Sequence, residues 1–312
     1  MLFREESMAP GCKVAVIGSA GNVGASVVFS LVNTTYPADI MMVDVNQRLV
    51  RGQAMDLADA AWPTGHRVRT ANLKEAGQAD LIIITAGARQ QPGESRDGLL
   101  DRNYEILCSI LNGLKPVNPN AVVLMISNPV DVLTGIAQNI TGLPKSQVFG
   151  SGTLLDSGRL RNYLAKLINV RQTSIHCHVL GEHGDSQFVG WSSARIGGVK
   201  LDQFPEMQTI DKAKIEHDIA RTAYDIIEAK GATYYGVGVC GAILATSVLQ
   251  NQHDIRSVCC YSTKWGGYVS TPAVICSRGI DRVLELDLDN EETEKMEHAV
   301  ERIKEQTKRF VE

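Results

Sequence analysis

The 312-residue sequence has few of the features that mark several large classes of protein. No apolar run approaches the length of a membrane span, and the N-terminal MLFREESMAPG is too charged and too poor in apolar residues for a secretory signal peptide. The 31 basic and 35 acidic residues are interspersed, so no basic block indicates binding to nucleic acid or to a membrane surface. We therefore expect no membrane and no nucleic-acid partner.

Cysteine pairing is also missing. The seven cysteines are an odd number without a CxxC pair, and Cys259 and Cys260 are adjacent, which is a poor geometry for a disulfide. These observations predict reduced thiols in a cytoplasmic protein, and we predict no metal site.

The first half of the chain alternates between strand and helix patterns. The β-like runs are KVAVIG (13–18), IMMVD (40–44), LIIIT (81–85) and AVVLMIS (121–127), and helical patterns cover 22–32, 47–60, 98–115 and 130–140. Strands this apolar are buried on both faces, which predicts a parallel sheet with helices on each side. This is an α/β fold of the Rossmann type, a doubly wound sheet that binds ligands at the carboxyl ends of its strands.

The pattern changes after about residue 150 and predicts an α+β domain there. The segments IHCHVLG and FVGWSSARIGG alternate like half-exposed antiparallel strands. Helices are expected at 155–169, at 210–230 and from 290 onward, and further strands at 255–263 and 268–277. We place one domain at 12–150 and a second at 151–312.

A glycine-rich turn follows the first strand. VIGSAGNVGAS contains Gly18, Gly21 and Gly24, which allow a tight turn and the close approach of a pyrophosphate to a helix N-terminus. A lone glycine motif is weak, but here Asp44 follows at the end of the next strand, 20 residues past Gly24, where a carboxylate can bind ribose hydroxyls. Because that charge would repel a 2′-phosphate, we predict NAD rather than NADP.

Chemically active side chains are found in two stretches of the second half. In GSGTLLDSGRLRN, Asp156 and Arg159 are three residues apart and share one helix face, whereas Arg161 points to nearly the opposite face. A surface Asp–Arg pair is the ordinary interpretation of that spacing. The stretch LGEHGDS, however, places His183 on a glycine-flanked turn that gives the ring no apolar face to pack against.

These residue types suit the oxidation of a secondary alcohol by NAD, which removes a hydride from carbon and a proton from oxygen. An imidazole such as His183 can take and return that proton near neutral pH, and a carboxylate such as Asp156 fixes its tautomer. A guanidinium can bind a substrate carboxylate with two parallel hydrogen bonds, and a second can polarise the carbonyl. Arg159 and Arg96 are the candidates for these two roles.

Over nearly its whole length the sequence resembles the L-lactate/malate dehydrogenase family, most closely the lactate enzymes. The stretches that carry the resemblance are GSAGNVG, MMVD, TAGARQQPGESR, SNPVDVLT, GSGTLLDSGRLR, GEHGDS and KGATYYG. The resemblance implies that His183 exchanges the proton with Asp156 as its partner, that Arg159 binds the substrate carboxylate, and that Arg96 polarises the carbonyl from a loop that closes over the substrate.

The resemblance also implies the residues around the cofactor and the substrate. The cofactor would be lined by Gly18, Gly21, Asn22, Val23, Gly24, Asp44, Thr85, Ala86, Gly87, Ala88, Ser127, Asn128 and Ser151. Asn128 would also contact substrate, and Thr233 would shape the substrate pocket. A helix near 236–252 would pack back on the first domain. The family forms dimers or tetramers, and we predict a homotetramer.

The choice between lactate and malate depends on one position of the closing loop. In this family the residue six positions before the polarising arginine meets the far end of the substrate, and it resembles arginine in malate enzymes and glutamine in lactate enzymes. Here it is Gln90, whose neutral amide cannot compensate a second carboxylate. The GxxGxxG spacing, more typical of malate enzymes, and the neighbouring Arg89 favour malate. We predict pyruvate and lactate, with malate or a larger 2-hydroxy acid as alternatives.

Two further possibilities remain open at this point. Arg161 and His176 match positions that bind fructose 1,6-bisphosphate across a subunit interface in activated bacterial lactate dehydrogenases, although an interfacial cation and a strand histidine without a ligand explain them equally well. A non-catalytic NAD-binding protein is the rival of a different class. Its expected mark is loss of the histidine, its aspartate or either arginine, and all four are present.

Overall fold

The chain folds around one large mixed sheet, and the computed structural model describes residues 11–88, 96–184 and 186–311. Within those residues the sheet has nine strands in the order β14-β13-β12-β6-β5-β4-β1-β2-β3. In the first half the strands are β1 (Cys12–Ile17), β2 (Ala38–Val43), β3 (Arg67–Thr70), β4 (Leu81–Ile84), β5 (Val122–Met125) and β6 (Val148–Gly150). The helices of this half are α1 (Asn22–Val32), α2 (Gln47–Ala60), α3 (Leu73–Ala76), α4 (Arg96–Leu114) and α5 (Val130–Thr141).

The first six strands are parallel, with β1 and β4 adjacent at the centre of this part of the sheet. The chain moves outward from β1 to β2 and β3 and then returns to place β4, β5 and β6 on the other side of β1. This reversal leaves a crevice at the carboxyl ends of β1 and β4, where doubly wound sheets bind their ligands. The Rossmann-type prediction is therefore confirmed.

Both faces of the parallel strands other than the edge strand β3 are buried, which explains their continuous apolar sequences. In β1, Val14 and Val16 belong to one hydrophobic cluster, while Ala15 and Ile17 belong to the cluster on the opposite face. All four side chains are buried completely or nearly so. Because successive residues of a strand point to opposite faces, only a strand covered by helices on both sides has this pattern.

The second half adds antiparallel strands to the same sheet. The strands of this half are β7 (Ile175–His176), β8 (Val179–Leu180), β9 (Phe188–Val189), β10 (Arg195–Ile196), β11 (Val199–Lys200), β12 (Asp254–Ser262), β13 (Gly267–Cys276) and β14 (Gly279–Val283). β12, β13 and β14 extend the large sheet, whereas β11-β10-β7 and β8-β9 form two small sheets of their own. Its helices are α6 (Leu154–Ile168), α7 (Lys212–Lys230), α8 (Tyr235–Leu249) and α9 (Asn290–Lys308). β12 joins the parallel strands through the antiparallel pair Cys259 and Gly150.

The prediction of half-exposed strands in IHCHVLG and FVGWSSARIGG is wrong for part of these segments. The pair β8–β9 is antiparallel as predicted, but all of its residues are buried. Val179 and Val189 face one hydrophobic cluster and Leu180 and Phe188 face another, so this short ribbon is covered on both sides. The pattern did hold for β7, where Ile175 is buried and the next residue is exposed.

Helix α8 packs closely against α1. A Cβ added at Gly238 would lie 2.6 Å from Ser26, and one at Gly241 would lie 2.9 Å from Val27, so the glycines let the two helix backbones approach. This contact brings the polypeptide after α7 back to the glycine turn of the first half. No helix in the described part of the chain is both long and apolar enough to cross a membrane.

Candidate active site

The glycine turn after β1 is pressed against the end of β4. Gly18 has a φ of +83°, and its N–H donates to Val43 O at 2.8 Å. A Cβ at Gly18 would lie 2.6 Å from the backbone of Ala86, and one at Gly24 would lie 2.8 Å from Thr85 Oγ1. A side chain at either position would push the turn away from the sheet, which explains the glycine spacing in physical terms.

Helix α1 begins at this turn with its N-terminal N–H groups available to a ligand. Gly21 is the N-cap, and no side chain in the described part of the chain caps the helix there. The N–H groups of Asn22, Val23 and Gly24 lie in the first turn, where an α-helix offers no carbonyl acceptors of its own. An uncapped N-terminus with glycine in front of it suits the pyrophosphate of a dinucleotide.

Asp44 lies beside this turn, directly after β2. Its Oδ2 accepts a hydrogen bond from Ala20 N at 3.0 Å, and its Oδ1 accepts one from Asn46 N at 2.9 Å. Both contacts fix the carboxylate at the edge of the crevice, and the group is only partly buried. Its position next to the pyrophosphate turn suits ribose hydroxyls, so the residues present fit NAD.

The carboxyl ends of β4, β5 and β6 complete the floor of the crevice. Thr85 Oγ1 donates to Ile17 O at 2.8 Å, and Ser127 Oγ donates to Ala86 O at 2.6 Å. Ser151 N donates to Met125 O at 2.8 Å. The predicted cofactor residues of β4, β5 and β6 therefore follow neighbouring strands and lie along one edge of the sheet.

Asn103 of α4 organises this floor, and the sequence did not single it out. Its side chain is buried, with Oδ1 accepting from Ala88 N at 2.7 Å and Nδ2 donating to Asn128 O at 2.7 Å. The amide thus joins the segment after β4, which includes Gly87, to the segment after β5. An asparagine between Leu100 and Leu107 on the buried, otherwise apolar face of α4 was the signal that could have identified it.

The catalytic candidates of the second half meet at one buried carboxylate. Asp156, whose side chain is 3% exposed, lies in the first turn of α6. Its Oδ2 is 2.9 Å from Nδ1 of His183, and its Oδ1 accepts from Arg159 Nη1 at 3.0 Å. The surface-pair interpretation of Asp156 and Arg159 is therefore wrong, because the carboxylate is buried and shared with the histidine.

This arrangement sets the proton affinity of both partners. Burial alone would lower the pKa of His183, but the charge and hydrogen bond of Asp156, with a smaller contribution from Asp131, raise that pKa to about 8. Burial would raise the pKa of Asp156, yet the positive charges of His183 and Arg159 outweigh it and hold that pKa below its ordinary value. Since Nδ1 faces the carboxylate, Nε2 is the ring nitrogen available to a substrate.

Asp131 is a second buried carboxyl, next to the segment 181–184 that carries His183 and that we call the catalytic turn. The sequence analysis did not single out this residue either. It lies near the N-terminus of α5 and is 1% exposed. Its Oδ2 accepts the backbone N–H of His183 at 2.7 Å, and its Oδ1 accepts the hydroxyl of Ser270 at 2.8 Å. The signal was present in SNPVDVLT, where a carboxylate stands in an otherwise apolar helix start.

Family comparisons agree with this geometry. The model "lactate/malate dehydrogenase, NAD binding domain" matches residues 12–150, and the model "lactate/malate dehydrogenase, alpha/beta C-terminal domain" matches residues 153–312. The chain belongs to the lactate/malate dehydrogenase family.

Members of this family that are similar to the chain are named lactate dehydrogenases. The chain is 44% identical to L-lactate dehydrogenase A of Rhizopus oryzae over 292 residues, which cover 94% of this chain and 91% of that protein. It is 37% identical to L-lactate dehydrogenase 1 of Clostridium acetobutylicum over 308 residues, or 96% and 98% of the two chains. The crystal structure of a lactate dehydrogenase enzyme from a Medee basin deep-sea metagenome library superposes with a TM-score of 0.91 at 31% identity, covering 97% of this chain and 100% of that chain.

Some of the dehydrogenase residues predicted from the sequence cannot be placed at the site. Gln90 and Arg89 lie outside the described residues. Arg96 begins α4, but its side chain is also outside the described part. Thr233 lies half-buried in the segment between α7 and α8.

Arg161 points away from the catalytic face of α6, as its spacing from Arg159 predicted. Its Nε donates to Cys177 O at 3.0 Å, and its Nη2 donates to His178 Nδ1 at 3.2 Å. Burial lowers the pKa of His178 to about 3, so this imidazole is neutral and can accept the hydrogen bond. His176 lies on β7 with its side chain exposed.

Proposed function

We propose that this member of the lactate/malate dehydrogenase family is an NAD-dependent L-lactate dehydrogenase, which interconverts pyruvate and lactate. The observation that carries the proposal is the buried Asp156, joined at once to His183 Nδ1 at 2.9 Å and to Arg159 Nη1 at 3.0 Å. One carboxylate thus fixes both the proton-exchanging ring and the group that binds the substrate carboxylate. The names of the similar proteins support the same function.

Proton transfer in this proposal uses Nε2 of His183. With Nδ1–H directed at Asp156, the protonated ring donates its Nε2 proton to the carbonyl oxygen of pyruvate, and the neutral ring accepts it from lactate. Asp156 stabilises the imidazolium and holds the tautomer, as a carboxylate does behind a catalytic histidine. When bound at the crevice, NAD would supply the hydride to pyruvate or accept it from lactate.

The two arginines have separate roles. Arg159 uses one Nη on Asp156, and its remaining N–H donors can bind the substrate carboxylate in a planar, two-bond arrangement. The ion pair with a buried acid also fixes the direction of the guanidinium before substrate arrives. We assign the polarisation of the carbonyl to Arg96, where negative charge develops on oxygen.

Gln90 is proposed as the selector of the substrate's third carbon. A neutral amide accepts the methyl group of pyruvate, whereas the second carboxylate of oxaloacetate would be buried without a counter-ion at a cost of several kcal/mol. Malate dehydrogenase remains the competing function, favoured by the GxxGxxG spacing of the cofactor turn.

The test is a panel of 2-oxo acids with NADH, using wild type, Gln90→Arg and Gln91→Arg. We expect wild type to have the higher kcat/KM for pyruvate, and Gln90→Arg to move the preference toward oxaloacetate by at least about a hundredfold, the size of a compensated buried charge. Gln91→Arg adds the same charge one residue away and should leave pyruvate preferred. A wild-type preference for oxaloacetate would contradict the proposal, and a wild type inactive with every 2-oxo acid would remove it.

We also propose that Arg161 and His176 form part of an effector site for fructose 1,6-bisphosphate. The support is that His176 is exposed on β7 and Arg161 lies on the face of α6 opposite the catalytic pair, with its Nε hydrogen-bonded to the carbonyl of Cys177, the residue after His176. The bisphosphate should lower the KM for pyruvate in wild type and not in Arg161→Gln, while Arg171→Gln, an exposed arginine just before β7, should respond like wild type. An unchanged KM in wild type would remove the effector site.

Assembly, domain division and location complete the proposal. We propose a cytoplasmic homotetramer with an NAD-binding domain at 12–150 and a substrate domain at 151–312, in which α8 belongs to the first. The support for assembly is a set of exposed apolar side chains on and near α2 and α8, among them Trp62 at 83% exposure, Met55 and Val239. Sedimentation equilibrium tests the tetramer, and a monomer at micromolar concentration would contradict it.

A further inference from the structure

Asp131 is tied to two elements outside its own helix. Its carboxyl oxygens accept the backbone N–H of His183 and the hydroxyl of Ser270, at 2.7 and 2.8 Å. An acid in the first turn of a helix ordinarily remains at the surface and interacts with the helix dipole. Asp131 is instead buried, and both of its oxygens are occupied by donors from the catalytic turn and from β13. A helix-capping role does not explain this arrangement.

These contacts belong to a closed ring of hydrogen bonds around the catalytic turn. Gly181 and Ser270 exchange two backbone hydrogen bonds, with N···O distances of 3.0 and 2.9 Å. Ser270 then reaches Asp131 through its hydroxyl, and Asp131 reaches His183, two residues after Gly181. The turn is therefore held on both sides of Glu182 by groups that β13 and α5 fix in place.

The residues that form this ring of hydrogen bonds are closely packed. Ser270 is completely buried, and a Cβ added at Gly152 would overlap its hydroxyl oxygen. Cys259 also packs against this group, with its Sγ 3.9 Å from the backbone oxygen of Asp131. A displacement of Asp131 would thus move the backbone at His183.

Among the described residues, three charged groups act on the imidazole of His183. Asp156 and Arg159 are on α6, and Asp131 is on α5. The negative charge of Asp131 raises the pKa of His183 in the same direction as Asp156, whereas Arg159 acts against both. Burial raises the pKa of Asp131 above its ordinary value, against the hydrogen bonds from Ser270 and His183. Both contacts donate to the carboxyl, an arrangement that suits its ionised form.

We propose that Asp131 is a positioning residue for the proton transfer, which fixes the backbone of His183 and places a second negative charge, after that of Asp156, at the turn that carries this residue. This proposal rests on the proposed lactate dehydrogenase function for one point only, the identity of the reaction in which His183 exchanges a proton. It predicts two separable effects, one of charge and one of position.

The charge effect is tested with Asp131→Asn. The amide can keep both contacts, with its oxygen accepting the His183 N–H and its nitrogen donating to Ser270 Oγ, but it removes the charge. The pKa of the His183 imidazole, measured by NMR of histidine-labelled enzyme without substrate, should fall by about 0.5 to 1 unit. Asp39→Asn removes a partly buried carboxylate of β2 that pairs with Arg69 of β3, and it should leave the pKa of His183 unchanged. An unshifted His183 pKa in folded Asp131→Asn would overturn the charge role.

The position effect is tested with Ser270→Ala. This variant keeps the charge of Asp131 but removes the hydroxyl that holds it, so kcat for pyruvate reduction should fall several-fold while the Kd for NADH stays unchanged. A kcat equal to wild type would overturn the positioning role, and this holds even where Asp131→Asn fails to fold. The NMR titration does not require turnover. If wild type were inactive toward pyruvate but the pKa of His183 still fell in Asp131→Asn, the role of Asp131 would stand and the lactate assignment would be rejected.

Discussion

Replacing Asp156 by asparagine should slow pyruvate reduction by an amount that grows with pH. The carboxylate accounts for most of the rise in the pKa of His183 from 6.5 to about 8, since burial and Arg159 act in the opposite direction. That rise of about 1.5 units corresponds to about 2 kcal/mol. Without the charge, the pKa of His183 returns to about 6.5 or below, and the fraction of proton-donating enzyme falls accordingly.

The size of the loss follows from the two titration curves. At pH 7 the protonated fraction of His183 drops from about nine-tenths to about one-quarter, a loss of about fourfold. At pH 9 both forms are mostly neutral, and the ratio approaches about thirtyfold. At pH 5.5 both are mostly protonated, so protonation alone costs almost nothing. Loss of the support for the ring tautomer adds a further factor that does not depend on pH.

The assay is kcat/KM for pyruvate with saturating NADH, measured from pH 5.5 to 9 in wild type, Asp156→Asn and Asp254→Asn. The last variant removes a carboxylate that pairs with Arg256 on β12 and should follow wild type. A loss in Asp156→Asn that is the same at every pH would refute the reasoning, because it would mean that Asp156 does not set the pKa of His183.

Three further predictions concern the cofactor turn and the substrate carboxylate. Gly18→Ala must take a φ of +83° and displace Ala86, so it should lower stability by about 3 kcal/mol in thermal unfolding and weaken NADH binding, whereas Gly52→Ala, with open space around it, should not destabilise. Asp44→Asn should reduce the preference for NADH over NADPH in kcat/KM by at least about tenfold, since it removes the charge that repels the 2′-phosphate, and an unchanged ratio would contradict the assignment. Arg159→Lys should raise the KM for pyruvate by about a hundredfold without altering the Kd for NADH in fluorescence titration, and an equal change in both would argue for a structural role.

The parallel sheet was predictable because burial of a strand on both faces is visible in its sequence as a continuous apolar run. LIII (81–84) and AVVLMI (121–126) are apolar at every position, a composition typical of a strand buried on both faces. Short elements gave weaker signals. β3 is four residues long and half-exposed, and β6 has three residues, so neither was predicted. The joining of β12 to β6 depends on a single long-range pair, Cys259 and Gly150, which no local pattern encodes.

The catalytic pair was predictable, but the groups that hold it were not. His183, Asp156 and Arg159 carry chemistry that can be inferred from residue type, and the spacing of Asp156 and Arg159 predicts their shared face. A carboxyl in the apolar start of α5 marks Asp131 as unusual, but its contact with the backbone N–H of His183, 52 residues away, is not encoded by any local pattern. Asn103 is similar, since its role is to join two backbone segments.

The central claim is that His183, held by Asp156, exchanges the substrate proton. The most direct measurement is the pH dependence of kcat/KM in both directions with the wild-type enzyme. Pyruvate reduction should fall and lactate oxidation should rise as pH increases, and both should be governed by one ionisation near the His183 pKa of about 8. Two profiles that change in the same direction, or that are flat between pH 6.5 and 9, would contradict the account.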